Sequence, residues 1–94
     1  MNAPLALSVQ GTPNPNAVKF TLNRTVAAQG TTYRDAAAAQ ADWAKQLLSI
    51  AGVTQVFAAG NFISVSKAPE AGWDAIIPPA EAALRVAFAG ADAS

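Results

Sequence analysis

The stretch Val53–Lys67, VTQVFAAGNFISVSK, decides the fold. Gly60-Asn61 at its centre has the composition of a two-residue hairpin turn, with glycine supplying positive φ at the first central position. Such a turn sets a register in which Ala59 opposes Phe62, Ala58 opposes Ile63, Phe57 opposes Ser64 and Val56 opposes Val65. Side chains alternate faces along a strand, so Val56, Ala58, Ile63 and Val65 share one face. Phe57 and Phe62 share the other with Gln55, Ser64 and Ser66. The aliphatic face is the natural core side, while the second sets two phenylalanines among polar neighbours.

Upstream, Leu5, Leu7 and Val9 alternate with Ala6, Ser8 and Gln10, and Val18, Phe20 and Leu22 alternate with Lys19, Thr21 and Asn23. Both are the two-residue period of a half-buried strand. Between them lies GTPNPN, residues 11–16. Pro13 and Pro15 hold Thr12 and Asn14 extended and cannot donate to a ladder. Asn14 and Asn16 are turn formers. The connector is therefore stiff, and able to present its side-chain amides outward. Residues 23–34 show no period and read as a loop. From Asp35 to Ile50 the alanines with Trp43, Leu47, Leu48 and Ile50 fit a helix that Gly52 ends. Asp42 is placed to cap a restart within it. From about Glu70 to Phe88, Trp73, Ile76, Ile77, Ala80, Leu84, Ala87 and Phe88 form an amphipathic stripe. Pro78-Pro79 predicts a bend between two helical pieces. A flexible tail is expected from about residue 89 to 94.

The expected fold is α+β, ordered β-β-α-β-β-α: a mainly antiparallel four-stranded sheet with two helices on one face. The other face is left to solvent or a partner. The expected core includes Phe20, Leu47, Val56, Ile63, Val65, Trp73 and Leu84. The 94 residues form one domain, with no internal repeat. The chain is 52% hydrophobic, but 24 residues are alanine, so its bulky core is modest. Six basic residues balance six acidic ones, which argues against nucleic acid or an anionic membrane as partner. There is no cysteine and no histidine. Disulfides, thiolate ligation, a nucleophilic cysteine and the usual catalytic base are thereby excluded. No signal peptide or membrane span is legible, so a cytoplasmic domain is expected.

TPNPNAVKF, AKQLLSIAGVTQVFAAGNFISVSK, and the Trp73 and Pro78 of WDAIIPP together resemble the N-terminal domain of Nfu/NifU-type iron–sulfur scaffold proteins. The likeness runs from about Thr12 to Phe88. Ala41-Asp42 depart from the family's frequent Ser-Pro, and Trp43 from its frequent leucine. In two-domain members a separate C-terminal domain carries the Cys-x-x-Cys that holds the cluster. The resemblance thus implies work near cluster assembly or delivery, as a freestanding, non-catalytic interaction module with no cofactor of its own. Its partner would be a cluster carrier or an apo iron–sulfur client. The candidate partner surface is Asn14, Asn16, Lys19, Phe57 and Phe62, polar at its rim and aromatic at its centre.

Two other readings stand beside it. Glu70, Asp74 and Glu81 lie at helical spacing and could offer carboxylates to iron(II), although the proline pair falls between the last two. Alternatively, Phe57 and Phe62 could form a symmetric interface in a self-associating domain, the chain being a monomer or weak dimer. An enzyme is not expected, because Ser64 and Ser66 have no sequence-visible base.

Overall fold

A computed structural model of the chain describes residues 6–23, 25–39 and 41–89. Its elements in order are β1 (Leu7–Gly11), β2 (Ala17–Leu22), β3 (Ala27–Tyr33), α1 (Asp42–Leu48), β4 (Val53–Gly60), β5 (Phe62–Lys67) and α2 (Trp73–Ala89). The strands form one five-stranded sheet in the order β1-β2-β5-β4-β3, antiparallel at every pairing.

The central hairpin has the register its turn demands. Ala59 pairs with Phe62, Ala58 with Ile63, Phe57 with Ser64 and Val56 with Val65. Gly60 has φ of 58°, and among the described residues no non-glycine has positive φ, so the turn is built as the Gly-Asn pair requires. Val18, Phe20 and Leu22 of β2 point to the same side as Val56, Ala58, Ile63 and Val65, and all are buried. Against them α1 buries Ala44 and Leu47, and α2 buries Ile76, Ala80 and Leu84. That four-residue spacing puts the three α2 side chains on one stripe. Both helices therefore cover one face of the sheet.

Five expectations are corrected. The sheet has five strands, because part of the supposed loop at 23–34 is the edge strand β3, paired to β4 through Thr31–Ala58, Thr32–Phe57 and Tyr33–Val56. Its register shifts between Ala27 and Thr31, and this irregularity erases the alternation by which a strand is recognised. The first helix begins at Asp42 rather than Asp35. The Asp35 carboxylate instead accepts the Ala37 N–H at 3.0 Å, closing a single turn that does not continue. Asp42 is the first helical residue, not the cap; that position is Ala41, with no side-chain cap bond.

The second helix is one continuous element through Pro78 and Pro79, not the two helical pieces expected on either side of them. Both prolines are exposed, as are Asp74 and Ala75, whose carbonyls lose their intrahelical donors. This stretch of the helix lies on its exposed side, where water can serve carbonyls that lack a donor, and the buried stripe on the opposite side holds the helix together. Finally, Trp73 is half-buried at the edge of the core. The other six expected core residues are fully buried. Of the expected tail, residue 89 ends α2 and residues 90–94 lie outside the described residues.

Candidate functional site

The face of the sheet away from the helices carries the residues that alternate with the core set. Strand register arranges them in rows across the sheet. One row reads Gln10, Lys19, Ser64, Phe57 and Thr32; the next reads Ser8, Thr21, Phe62 and Ala59. Phe57 and Phe62 are thus diagonal cross-strand neighbours, close enough for large rings to meet. Their centroids are 6.0 Å apart with planes tilted by 44°, a favourable aromatic geometry. The Lys19 ammonium sits 4.7 Å from the Phe62 centroid, within cation–π range.

Gly30 of β3 sets where the Phe57 ring lies. A Cβ at that position would fall 3.1 Å from Phe57 Cζ and 3.3 Å from Cε1. Only the bare glycine backbone lets the ring lie this close to β3. Both phenylalanines are half-buried, and neither belongs to the helix-covered core cluster or its fringe. Around them stand Thr21, Thr32, Ser64, Ser66 and Gln55. The Gln55 carboxamide oxygen accepts a hydrogen bond from Arg34 Nε at 3.0 Å. The arrangement is an aromatic centre with a hydroxyl and amide rim and a cation at each side. It offers contact area and hydrogen bonds, but no nucleophile–base pair.

Lys19, Phe57 and Phe62 are brought together as expected; Asn14 and Asn16 are not part of that contact group. They lie in the β1–β2 connector, and their carboxamide oxygens are occupied by the fold. Asn14 Oδ1 accepts the Asn16 N–H at 2.9 Å, and Asn16 Oδ1 accepts Lys67 Nζ at 3.1 Å. The Thr12 hydroxyl accepts the Asn14 N–H at 3.1 Å and reaches the carbonyls of Asn14 and Ala17 at 2.9 and 3.0 Å. Trp73 Nε1 donates to the Pro15 carbonyl at 3.0 Å, and the Lys67 ammonium lies 5.6 Å from the Trp73 ring centroid. The connector is a latch that ties the start of β2 to the end of β5 and to the first turn of α2. Trp73 and Lys67 are its two anchors, and the half-buried position of Trp73 follows from this job.

Glu70, Asp74 and Glu81 do not converge. Among the described residues no group of three or more acidic, cysteine or histidine side chains could hold a metal ion, and Glu81 faces Arg85 at 3.8 Å. The donor chemistry points the same way for a cluster. With no cysteine or histidine in the sequence, this chain offers neither thiolate nor imidazole, so its residues do not fit an iron–sulfur cluster. Among the described residues, no helix is long and apolar enough to cross a membrane.

A small α+β domain with one helix-covered and one open sheet face is a fold shared by known proteins. Residues 7–90 match the family model described as the N-terminal domain of the scaffold protein Nfu/NifU. The chain belongs to the Nfu/NifU N-terminal family. Conserved virulence factor C of Staphylococcus aureus strain USA300 is 40% identical over 79 residues, which are 83% of this chain and 21% of that protein. The mitochondrial NFU1 iron–sulfur cluster scaffold homolog of Drosophila virilis is 36% identical over 86 residues, covering 88% of this chain and 29% of that one. The chain therefore spans less than a third of either relative. The crystal structure of protein SAV1430 from Staphylococcus aureus superimposes with a TM-score of 0.77 at 30% identity, over 87% of this chain and 99% of that one. A NifU-like protein from Saccharomyces cerevisiae has the same fold, with a TM-score of 0.78 at 21% identity over 92% and 82% of the two chains.

Proposed function

We propose that this domain is a non-catalytic docking module of iron–sulfur cluster assembly or delivery. Its open sheet face, centred on Phe57 and Phe62, receives a cluster carrier or an apo iron–sulfur client. The cluster is cargo, held throughout by cysteines of the partner. The observation that carries this reading is the pair of touching phenylalanines on the face that the helices leave uncovered. Both rings are left only half-buried by their own fold, and grouped aromatics are where protein interfaces concentrate their binding energy. Membership in a family named for scaffold proteins supplies the cluster context.

Calorimetric titration of the chain with a recombinant Cys-x-x-Cys Nfu-type scaffold domain, and with an apo ferredoxin, tests the proposal. Saturable binding to at least one of them is expected, lost in Phe57→Ser and Phe62→Ser. Each variant gives up the ring contact, about 0.5–1.5 kcal/mol, and so melts several degrees lower, but stays folded at the titration temperature by circular dichroism. Binding that survives both substitutions would remove the open face from the account. Iron–sulfur absorbance that stays with the isolated chain through gel filtration would contradict the cargo assignment.

A further inference from the structure

Charge is distributed unevenly between the two sides of the sheet. The described acidic residues are Asp35, Asp42, Glu70, Asp74 and Glu81, and every one lies in a helix or in a segment joining a strand and a helix. None of the strand residues on the open face is acidic. That face instead carries Lys19 directly over Phe62 and Arg34 reaching onto it through Gln55. Neither cation has a carboxylate partner among the described residues, where the ion pair formed is Glu81–Arg85 on α2. Lys19 on β2 and Arg34 beside β4 therefore flank the two rings, with β5 and β4 between them. Three strand intervals of about 4.8 Å, with Arg34 two residues beyond Thr32 in the Lys19 row, put the two backbone positions about 16 Å apart across the sheet.

Resting on the docking reading above, we infer that the segment received by this face is an acidic protein segment, carrying apolar side chains onto Phe57 and Phe62 and carboxylates beside Lys19 and Arg34. A carboxylate beside Lys19 meets a cation held over Phe62 and no acidic strand residue; beside Arg34 the neighbouring carboxylate, Asp35, is engaged with the Ala37 N–H. A basic segment would meet the like charges of Lys19 and Arg34 with no acidic strand residue on the face to offset them, a mismatch that selects against it. Single-stranded nucleic acid could also stack on aromatic rings of a sheet. Its affinity, however, comes from many phosphate contacts, about 6–10 in a strongly salt-dependent binder. Two cations on a chain of zero net charge do not supply that.

The probe is the labelled peptide Glu-Glu-Leu-Leu-Glu-Glu-Leu-Leu, which in extended form places a leucine two residues from a carboxylate on each of its faces, about 6.8 Å along the strand. Anisotropy titrations compare it with its Gln-for-Glu counterpart, its Lys-for-Glu counterpart and a ten-nucleotide single-stranded RNA. The acidic peptide should bind, and its affinity should fall at least about tenfold in Lys19→Glu and on raising salt from low to near-molar concentration. The glutamine and lysine peptides and the RNA should bind more weakly than the acidic one. No binding of the acidic peptide, equal binding of the glutamine peptide, or tighter binding of the RNA would overturn the inference. The two readings fail separately. Binding that needs Phe62 but ignores Lys19→Glu, salt and peptide charge sinks the acidic partner and keeps the docking face. Binding that needs Lys19 but is unchanged in Phe57→Ser and Phe62→Ser sinks the aromatic centre.

Discussion

Replacing Trp73 with phenylalanine isolates the work done by the latch at residues 12–16. The substitution keeps an aromatic ring at the rim of the core and beneath the Lys67 ammonium, which lies 5.6 Å from the Trp73 centroid. What it removes is the indole N–H that donates to the Pro15 carbonyl at 3.0 Å. A net intramolecular hydrogen bond contributes about 0.5–1.5 kcal/mol. Solvent reaches this one, so the lower half of that range applies. The smaller ring adds some lost packing, and the total comes to about 1 kcal/mol. In a domain of this size that lowers the thermal midpoint by about 4–8 °C. Lys67→Met keeps the aliphatic stem and loses the Asn16 Oδ1 bond of 3.1 Å. Both residues hold the same short connector, so their effects should not add: once one anchor is gone the connector is already loosened, leaving a coupling of about 0.5 kcal/mol or more. Circular-dichroism melts of the wild type, the two single variants and the double variant measure this. A Trp73→Phe midpoint equal to wild type, or strictly additive losses, would refute the latch.

Two further outcomes follow from the geometry. Pro78→Ala restores an N–H for the Asp74 carbonyl inside α2; proline is about 3 kcal/mol less favourable than alanine in a helix interior, offset by about 0.4–1 kcal/mol of unfolded-chain entropy. The variant should therefore unfold at higher urea than wild type, and a lower midpoint would contradict a continuous helix there. Gly30→Ala places a methyl 3.1 Å from Phe57 Cζ, so the ring resonances of Phe57 and Phe62 should shift while stability changes by no more than about 1 kcal/mol; unmoved ring resonances would contradict the close approach.

Where the sequence alternates cleanly, from Leu7 to Val9, from Val18 to Leu22 and through the central hairpin, its reading matches the structure; Leu5, read with the first strand, lies outside the described residues. Gly60-Asn61 admits one tight turn, and that turn by itself places Phe57 and Phe62 on the face opposite Val56 and Ile63. Ala27–Tyr33 was illegible as a strand because its alanines, threonines and Gly30 carry no bulky alternation, and the register shift breaks what pattern there is. Asp35 misled for a local reason: its carboxylate closes one turn, and the small residues after it have little to bury. The connector shows the sharper limit. Its stiffness could be read from Pro13 and Pro15, and the Asn14 turn is local, but the hold on Asn16 by Lys67 and on the Pro15 carbonyl by Trp73 comes from more than 50 residues away. The Nε1–H of a tryptophan at a helix start was the available signal, since a partly buried indole seeks an acceptor.

The most direct measurement is a nitrogen-15 chemical-shift titration of the labelled chain with a Cys-x-x-Cys scaffold domain. The account predicts perturbations along the rows Lys19, Ser64, Phe57, Thr32 and Thr21, Phe62, Ala59, with the exposed sides of α1 and α2 unchanged. Perturbations concentrated on the helices instead, with those two rows silent, would contradict it.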